Sequence, residues 1–231
     1  MADKTIHEIF IEKNHPRWDD IENKLASLYT PPTVSLGIEP NVSVKEFGES
    51  INSIILTATT AKKFQNITKI EFFRNSVLID TKNSPNPNGG TESFTSNTLV
   101  NNTVTFKAKV SDAQGYAENS RTISFVYPFY IGSVSTNNPT ETQLKALTRL
   151  VKVKGNTTQS FTLTNASFCI AYLKSYGNLI SILDQNNFET VGLYNVTTVT
   201  IAGLDNNPVD YYVYVLNNLT TQINFTNTFK F

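Results

Sequence analysis

The sequence predicts a mainly β protein with an N-terminal helical leader (residues 1–32), an immunoglobulin-like β-sandwich (33–127) and a second, C-terminal β-rich domain with one short helix (128–231). Three observations favour this class. The 30 Thr, 15 Phe and 10 Tyr residues are typical of pleated strands, and the 27 Asn residues are typical of the turns between strands. Apolar and polar residues alternate over much of the chain after residue 32, as they do in half-buried strands. The spacing typical of a helix is concentrated in the leader.

The leader is predicted to be helical because four apolar side chains recur at spacings of three and four. They are Trp18, Ile21, Leu25 and Leu28. At that spacing they share one face of an α-helix. Pro16 suits a first helical turn, and Pro31-Pro32 ends the helix. Two interpretations of the apolar face stay open: it packs on its own domain, or it docks on another chain.

The segment 33–127 is predicted to form a sandwich because short strands with period two follow each other closely. Residues 104–110 alternate between apolar and polar side chains, the Asp112–Gly115 segment turns the chain, and residues 123–127 alternate back. Earlier strands are predicted at 33–38, 51–59, 67–74, 76–81 and 91–99. Such a series of short strands separated by turns is typical of an immunoglobulin-like sandwich. The disulfide of antibody domains is absent, so we expect apolar inner faces to hold the two sheets together.

The C-terminal domain is predicted to begin near Tyr127-Pro128, where a proline follows the last strand of the sandwich. Thr140 and Gln143 have the spacing of a capping box, which opens a short helix with Leu144, Leu147 and Leu150 on one side. Strands are predicted at 149–154, 159–164, 167–173, 178–183, 196–201, 209–216 and 222–231. The last of these strands closes on phenylalanine, so we expect that end to be buried.

Charge and hydropathy exclude two classes of partner. The 19 Lys and Arg residues balance the 19 Asp and Glu residues, whereas a nucleic-acid-binding protein concentrates positive charge. The apolar stretches fall far short of the roughly 20 residues that cross a bilayer as a helix. We therefore expect no nucleic acid, no membrane insertion and, since no apolar segment follows the first residues, no secretory signal peptide.

Residues with catalytic or metal-binding chemistry are sparse. The chain contains His7, His15 and a single cysteine, Cys169, which we expect to be a buried small hydrophobe. No spacing selects a pair of carboxylates for acid–base work, and no phosphate-binding or calcium-binding loop is present. The Asp205–Asn207 segment is better explained as a turn than as a cation site. The sequence thus predicts a protein that is not an enzyme, with no catalytic residue, no cofactor and no metal.

Tyrosines crowd the second half of the chain. They are Tyr172, Tyr176, Tyr194, Tyr211, Tyr212 and Tyr214. Packing in the core or at a protein interface is the ordinary role of such rings. Aromatic rings also stack on sugars while Asn and Asp bond to sugar hydroxyls. A carbohydrate-binding adhesin or lectin-like module is therefore the alternative interpretation.

Four segments carry a resemblance to a known group of proteins. They are Tyr127–Gly132, Phe168–Tyr172, Tyr176–Asp184 and Asn224–Phe231. These segments look like the β-module that ends head-fibre, tail and other appendage proteins of virions. Together with the leader and the cysteine-free sandwich, they make the chain similar to bacteriophage virion structural proteins, most clearly those of phages of Bacteroidetes-type hosts. The resemblance does not specify the head or the tail, nor a dimer or a trimer.

The resemblance implies a non-enzymatic component of the virion, such as a head fibre, a decoration protein or a tail appendage, made in the host cytoplasm. The face of Trp18, Ile21, Leu25 and Leu28 would attach it to capsid or tail proteins. The two β-domains would be displayed for homo-oligomerisation or for contact with the host surface, including its glycans. The candidate residues for that contact are Tyr211, Tyr212, Tyr214, Phe229 and Phe231. A neutral surface rich in Asn and Thr suits dense display, because it limits repulsion between neighbouring copies.

Overall fold

A computed structural model describes residues 28–231, and this part of the chain is mainly β. The first eight strands are β1 (Thr33–Glu39), β2 (Val44–Glu46), β3 (Ile54–Ala61), β4 (Lys69–Arg74), β5 (Val77–Lys82), β6 (Gly89–Ser96), β7 (Val104–Ser111) and β8 (Tyr116–Val126). The later strands are β9 (Phe129–Val134), β10 (Thr148–Leu150), β11 (Thr157–Leu173), β12 (Ser181–Asp184), β13 (Tyr194–Ala202), β14 (Pro208–Leu216) and β15 (Thr220–Lys230). One α-helix, α1 (Glu141–Lys145), and two single-turn 3₁₀ helices, Lys174–Tyr176 and Val191–Leu193, complete the described elements.

The strands form three sheets. One has the order β1-β3-β6, and the second has the order β2-β8-β7-β4-β5. The third has the order β10-β9-β11-β14-β13, and β15 and β12 are joined to it through β11. Strand β2 pairs in parallel with the end of β8, with Val44 opposite Ser124.

The described chain divides into two compact units. The first contains residues 28–38, Ile55–Phe94 and Phe106–Arg121. Alternate residues of β4 and β7 are buried in it, as the period of two requires when one face of a strand is covered. The Phe72 ring of β4 stacks on the Phe94 ring of β6, with centroids 6.2 Å apart. Apolar side chains therefore join strands of two different sheets inside this unit.

The second unit contains Glu39–Ile54, Thr95–Thr105 and Thr122–Phe231. Its central strand is β11, which has 17 residues and bonds to different neighbours along its length. The first part, Thr157 to Ala166, pairs with β15, and the last part, Ser167 to Leu173, pairs with β9 and β14. The pairing shifts around Leu163, and Asn165 has φ 47°, a left-handed conformation that Asn tolerates. At this bulge β11 changes its neighbours, from β15 to β9 and β14, within the same sheet.

The core of the second unit lies on both faces of β11. Phe168, Ile170 and Tyr172 belong to one buried cluster, while Cys169 and Ala171 between them belong to another. Successive side chains of a strand point to opposite faces, so this stretch of β11 is covered on both sides. For that reason the sequence of this stretch is continuously apolar and does not alternate between apolar and polar residues.

Helix α1 covers one of these faces and is fixed by hydrogen bonds at its N-terminal end. The Thr140 hydroxyl accepts from the Gln143 N–H at 3.4 Å, and the Gln143 side chain accepts from the Thr140 N–H at 2.9 Å. Leu144 is fully buried in the cluster that contains Cys169. Glu141 accepts from the Ala202 N–H at 2.9 Å, which ties the helix to the end of β13.

An ion pair with one buried member, Glu46, joins two distant segments of the second unit. The side chain of Glu46, in β2, is 1% exposed and accepts from the guanidinium of Arg149, in β10. The other Glu46 oxygen, Oε1, has no hydrogen-bond partner in the described chain. Burial raises the pKa of Glu46 above its ordinary value, although the Arg149 charge acts in the opposite direction. One oxygen of the Glu46 carboxylate is therefore buried without a hydrogen bond from the described residues.

The prediction of a mainly β chain is confirmed, as are the capping box at Thr140 and the turns at Asp112 and Asp205. The separate strands predicted at 159–164 and 167–173 are wrong, because the bulge at Asn165 keeps β11 continuous. The predicted helix face is also too long: α1 ends at Lys145, and Leu150 lies in β10. Strands β2 and β9 were not predicted. The domain boundaries at 32 and 127 stay predictions.

Candidate functional site

The predicted docking face lies mostly outside the described residues. Trp18, Ile21 and Leu25 precede residue 28, so their arrangement stays a prediction. Leu28 lies in a turn, and 66% of its surface is exposed. The next residue, Tyr29, packs edge-on against Phe64 and donates its hydroxyl to Asp112 at 2.9 Å. The end of the leader is therefore fixed to the first unit at Tyr29.

The five residues suggested for surface contact fall into two groups. Tyr211, Tyr214 and Phe229 are at most 3% exposed and belong to the buried clusters of the second unit. The Tyr211 hydroxyl donates to the Pro128 carbonyl, so even its polar end is used within the chain. These three side chains lie in the core of the second unit. Tyr212 and Phe231 are partly exposed, and contact of these residues with a second molecule stays a prediction.

A cavity of about 340 Å³ opens where β12 and β15 meet the turn between β14 and β15. We call it the β12–β15 cavity. Its polar lining consists of Asp184, Asn217, Asn218, Gln222 and Asn227, with the hydroxyls of Thr190 and Thr220. Its apolar lining consists of Leu193, Tyr194, Leu216 and Phe225. This volume is at the lower end of the range typical of small-molecule sites, and apolar walls with a few polar groups are also typical of them.

Hydrogen bonds fix the loop 185–190 on one side of the cavity. Asp184 Oδ1 accepts from the N–H groups of Asn186 at 2.8 Å and Phe188 at 2.9 Å. Glu189 Oε1 accepts from the N–H groups of Ile182 and Val191, both at 2.9 Å. A bond from the Ser181 hydroxyl and these backbone donors together lower the pKa of Glu189 to about 2. Glu189 therefore holds the loop as a charged acceptor at neutral pH.

The other side of the cavity is fixed by the ends of β13, β14 and β15. The Asn217 N–H donates to the Leu193 carbonyl at 2.9 Å, which holds the β14–β15 turn against the start of β13. Asp184 and Asn227 are direct cross-strand partners in the β12–β15 pair. Both walls are thus held by hydrogen bonds and strand pairing within the chain, so the cavity is formed before any ligand enters.

Asn227 is the most unusual residue of the lining. It is 1% exposed, and its Nδ2 donates to the Tyr194 hydroxyl at 2.9 Å. Its Oδ1 has no hydrogen-bond partner among residues 28–231. The two ends of an amide are assigned from such contacts, and in either assignment one end bonds to Tyr194 while the other has no partner. A buried polar group without a partner costs roughly 1–3 kcal/mol.

The charge of the cavity is slightly negative. Asp184 lies in the lining, and among the described lining residues none is basic. The Tyr194 hydroxyl stays protonated, because burial raises its pKa well above the ordinary value. The lining therefore presents neutral donors and acceptors together with one carboxylate.

The sequence drew attention to Tyr194 among the crowded tyrosines but not to Asn227 or Asp184. One signal could have found Asn227: with a period of two, Phe225, Asn227 and Phe229 share a face of β15. An amide between two inward-facing aromatic residues must be buried. No local pattern reveals Asp184, because its place opposite Asn227 depends on a pairing between distant strands.

Cys169 has the predicted role of a small buried hydrophobe. It is 0% exposed, and burial raises the pKa of its thiol to about 12. Within residues 28–231, no group of three or more His, Cys, Asp and Glu side chains is arranged to hold a metal ion. In the same range, no helix is both long enough and apolar enough to span a membrane.

Comparison with known proteins gives little further information. No protein-family model matches the chain, and no curated protein matches it. Among solved structures, the chain is similar to the solution NMR structure of the CARDB domain of a Pyrococcus furiosus protein, at 10% identity. That alignment covers 42% of this chain and 97% of the archaeal domain, with a TM-score of 0.28.

Proposed function

We propose that the chain is a non-enzymatic structural protein of a bacteriophage particle, a head fibre, decoration protein or tail appendage. In this proposal residues 1–32 attach it to capsid or tail proteins, and the β-domains are displayed on the outside of the virion. The resemblance of the C-terminal segments to virion appendage proteins suggests this function. The arrangement of strands and surface groups supports it.

The first supporting feature is the strand order, which suits an immunoglobulin-like sandwich over 33–127. The orders β1-β3-β6 and β8-β7-β4-β5 correspond to strands A, B, E and G, F, C, C′ of that fold. The parallel pair of β2 and β8 adds the second part of the first strand to the other sheet. Sandwich modules of this kind serve as spacers and display units in many surface proteins.

The observation that carries the proposal is the chemistry of the exposed strand faces. Neighbouring strands present hydroxyl groups that bond to each other across the sheet surface. These pairs are Thr57 with Ser93, Thr105 with Thr122, Thr158 with Thr228, and Ser160 with Thr226, at 2.8–3.2 Å. Uncharged, paired groups give a hydrated surface without a strong electric field, which favours dense packing of identical copies.

Purified virions from cells that carry the gene provide the test. Immunogold electron microscopy with antibodies against the recombinant chain should label the outside of the particles. Quantitative mass spectrometry should find the chain in many copies per virion. Recovery of the chain only in the particle-free cell fraction would overturn the proposal.

The attachment role of the leader is tested with a truncation that keeps the described fold. Deletion of residues 1–27 retains Tyr29 and its contacts with Phe64 and Asp112. We expect the truncated chain to fold and to be absent from virions. As a matched control, Thr57→Ala alters the exposed surface and leaves the leader intact, so it should be incorporated normally. Normal incorporation of the truncated chain would refute the role of the leader.

A further inference from the structure

We propose that the β12–β15 cavity binds a neutral sugar, with one pyranose ring hydrogen-bonded to the unpartnered end of the Asn227 amide. All described residues that line this site belong to the second unit, whereas the proposed attachment segment is residues 1–32. Sugar binding and attachment to a particle can therefore each be refuted without the other.

The first argument is the state of Asn227. Its side chain lines the cavity and is 1% exposed, and one end of its amide is occupied by the Tyr194 hydroxyl. The other end has no partner among the described residues. Buried polar groups in native proteins are nearly always bonded to protein, ligand or ordered water. Because this atom is covered in the ligand-free chain, a sugar hydroxyl in the cavity supplies the missing partner once the Asn227 side chain turns towards it.

The second argument is the mixture of groups around that amide. The side chains of Asn217, Asn218 and Gln222 each offer a donor and an acceptor, as sugar hydroxyls do. Phe225 and Leu193 offer apolar surface to the C–H face of a pyranose ring. A ligand that is polar at its edge and apolar on its face matches this lining better than a purely apolar one.

The third argument is charge. The Asp184 carboxylate lies in the lining, and no basic side chain accompanies it there among the described residues. A phosphate or an acidic sugar would meet a like charge without a compensating cation, which disfavours its binding. The cavity therefore selects neutral sugars over anionic ones.

The fourth argument is pre-organisation. The loop 185–190 is tied to Asp184 and Glu189, and Asn217 is tied to Leu193, by bonds that need no ligand. Binding does not have to order these segments, so little affinity is lost to their immobilisation. A single sugar ring in this cavity should bind with a Kd of about 1 mM.

The experiment is an NMR titration of the full-length, ¹⁵N-labelled chain. The probes are methyl glucoside, methyl galactoside and N-acetylglucosamine as neutral sugars, and glucuronic acid as the anionic one. The side-chain amide signal of Asn227 is assigned by its disappearance in Asn227→Leu. We expect at least one neutral sugar to shift this signal, and we expect glucuronic acid to bind at least about tenfold more weakly.

Variants locate the binding. Asn227→Leu should raise the Kd at least about tenfold, the effect of losing one well-placed hydrogen bond. Gln222 also lines the cavity, and Gln222→Ala should weaken binding about threefold or more. If Asn227→Leu folds poorly, Gln222→Ala alone tests whether the sugar binds in this cavity. The control is Asn186→Ala, which keeps the backbone N–H that bonds to Asp184 and should leave the Kd unchanged.

Three results would overturn the proposal. The first is the absence of any shift at about 50 mM neutral sugar, far above a Kd of about 1 mM. The second is binding that both Asn227→Leu and Gln222→Ala leave unchanged, since the sugar would then lie elsewhere. The third is equal affinity for glucuronic acid and the neutral sugars, which would contradict the argument from charge.

Discussion

The ion pair of Glu46 and Arg149 gives a quantitative test of how the second unit is stabilised. Removing one member of a fully buried ion pair costs about 3–5 kcal/mol, whereas an exposed pair contributes about 0–1 kcal/mol. The Glu46 side chain is 1% exposed, but the Arg149 side chain is 42% exposed, so water replaces part of the lost contact. We therefore expect Arg149→Ala to lower the free energy of unfolding by about 2–3 kcal/mol at neutral pH.

The stability lost in Arg149→Ala should depend on pH in a defined direction. Burial raises the pKa of Glu46 above its ordinary value of 4.5, and the Arg149 charge opposes that rise. A carboxyl group with a raised pKa in the folded state binds its proton more readily there than in the unfolded state. Its contribution to stability is therefore present at low pH and is lost as the pH rises through the folded pKa. Arg149→Ala raises this pKa further, so the loss should shrink as the pH falls from neutral towards 4.5.

Urea unfolding followed by circular dichroism at a series of pH values measures this effect. In a Glu46→Gln background, the cost of Arg149→Ala should no longer depend on pH between 4.5 and 7, since position 46 then carries no ionisable group. Lys107 and Glu118, 2.9 Å apart and about one third exposed, provide a matched pair. Lys107→Ala should cost no more than about 1 kcal/mol. The reasoning is refuted if Arg149→Ala has the same cost at every pH or costs no more than Lys107→Ala.

Three further substitutions or reactions test the core and the helix cap. Cys169 is buried with a raised pKa, so a thiol reagent at pH 8 should modify it only after denaturation; rapid reaction of the native chain would contradict its placement. Phe229→Ala should cost about 3–5 kcal/mol in urea unfolding, while Ile223→Ala, 75% exposed on the same strand, should change stability by no more than about 0.5 kcal/mol; similar losses would contradict the assigned burial. Thr140→Ala removes the cap of α1 and should cost about 1 kcal/mol, whereas Thr140→Ser should restore most of that loss.

Strands with one covered face could be predicted from the sequence. Residues 104–110 alternate because one side of β7 is buried and the other is not. Strand β9 was missed because five of its six residues are buried, so no alternation is present. The single strand β11 was divided into two because Thr164-Asn165-Ala166 resembles a turn. Only the pairing with β15 shows that Asn165 forms a bulge.

The cavity was less predictable than the fold. Its walls come from segments that are far apart in the sequence, and the position of each depends on which strands pair. The polar character of Asn227 and the aromatic residues beside it can be read from the chain. The loop 185–190 and the turn at Asn217 are brought to the cavity by the pairing of β12 with β15 and by the bond from Asn217 to Leu193, which no local pattern encodes.

The pairing of β11 with β15 at one end and with β9 and β14 at the other has a consequence for synthesis on the ribosome. Thr157 pairs with Phe229, so the early part of β11 has no native neighbour until the end of β15 has been translated. At roughly 5–20 residues per second, that wait lasts several seconds. During this time an unpaired strand edge invites aggregation. The first four residues of β11 are all polar, Thr157-Thr158-Gln159-Ser160. This lowers the risk that nascent chains on neighbouring ribosomes aggregate.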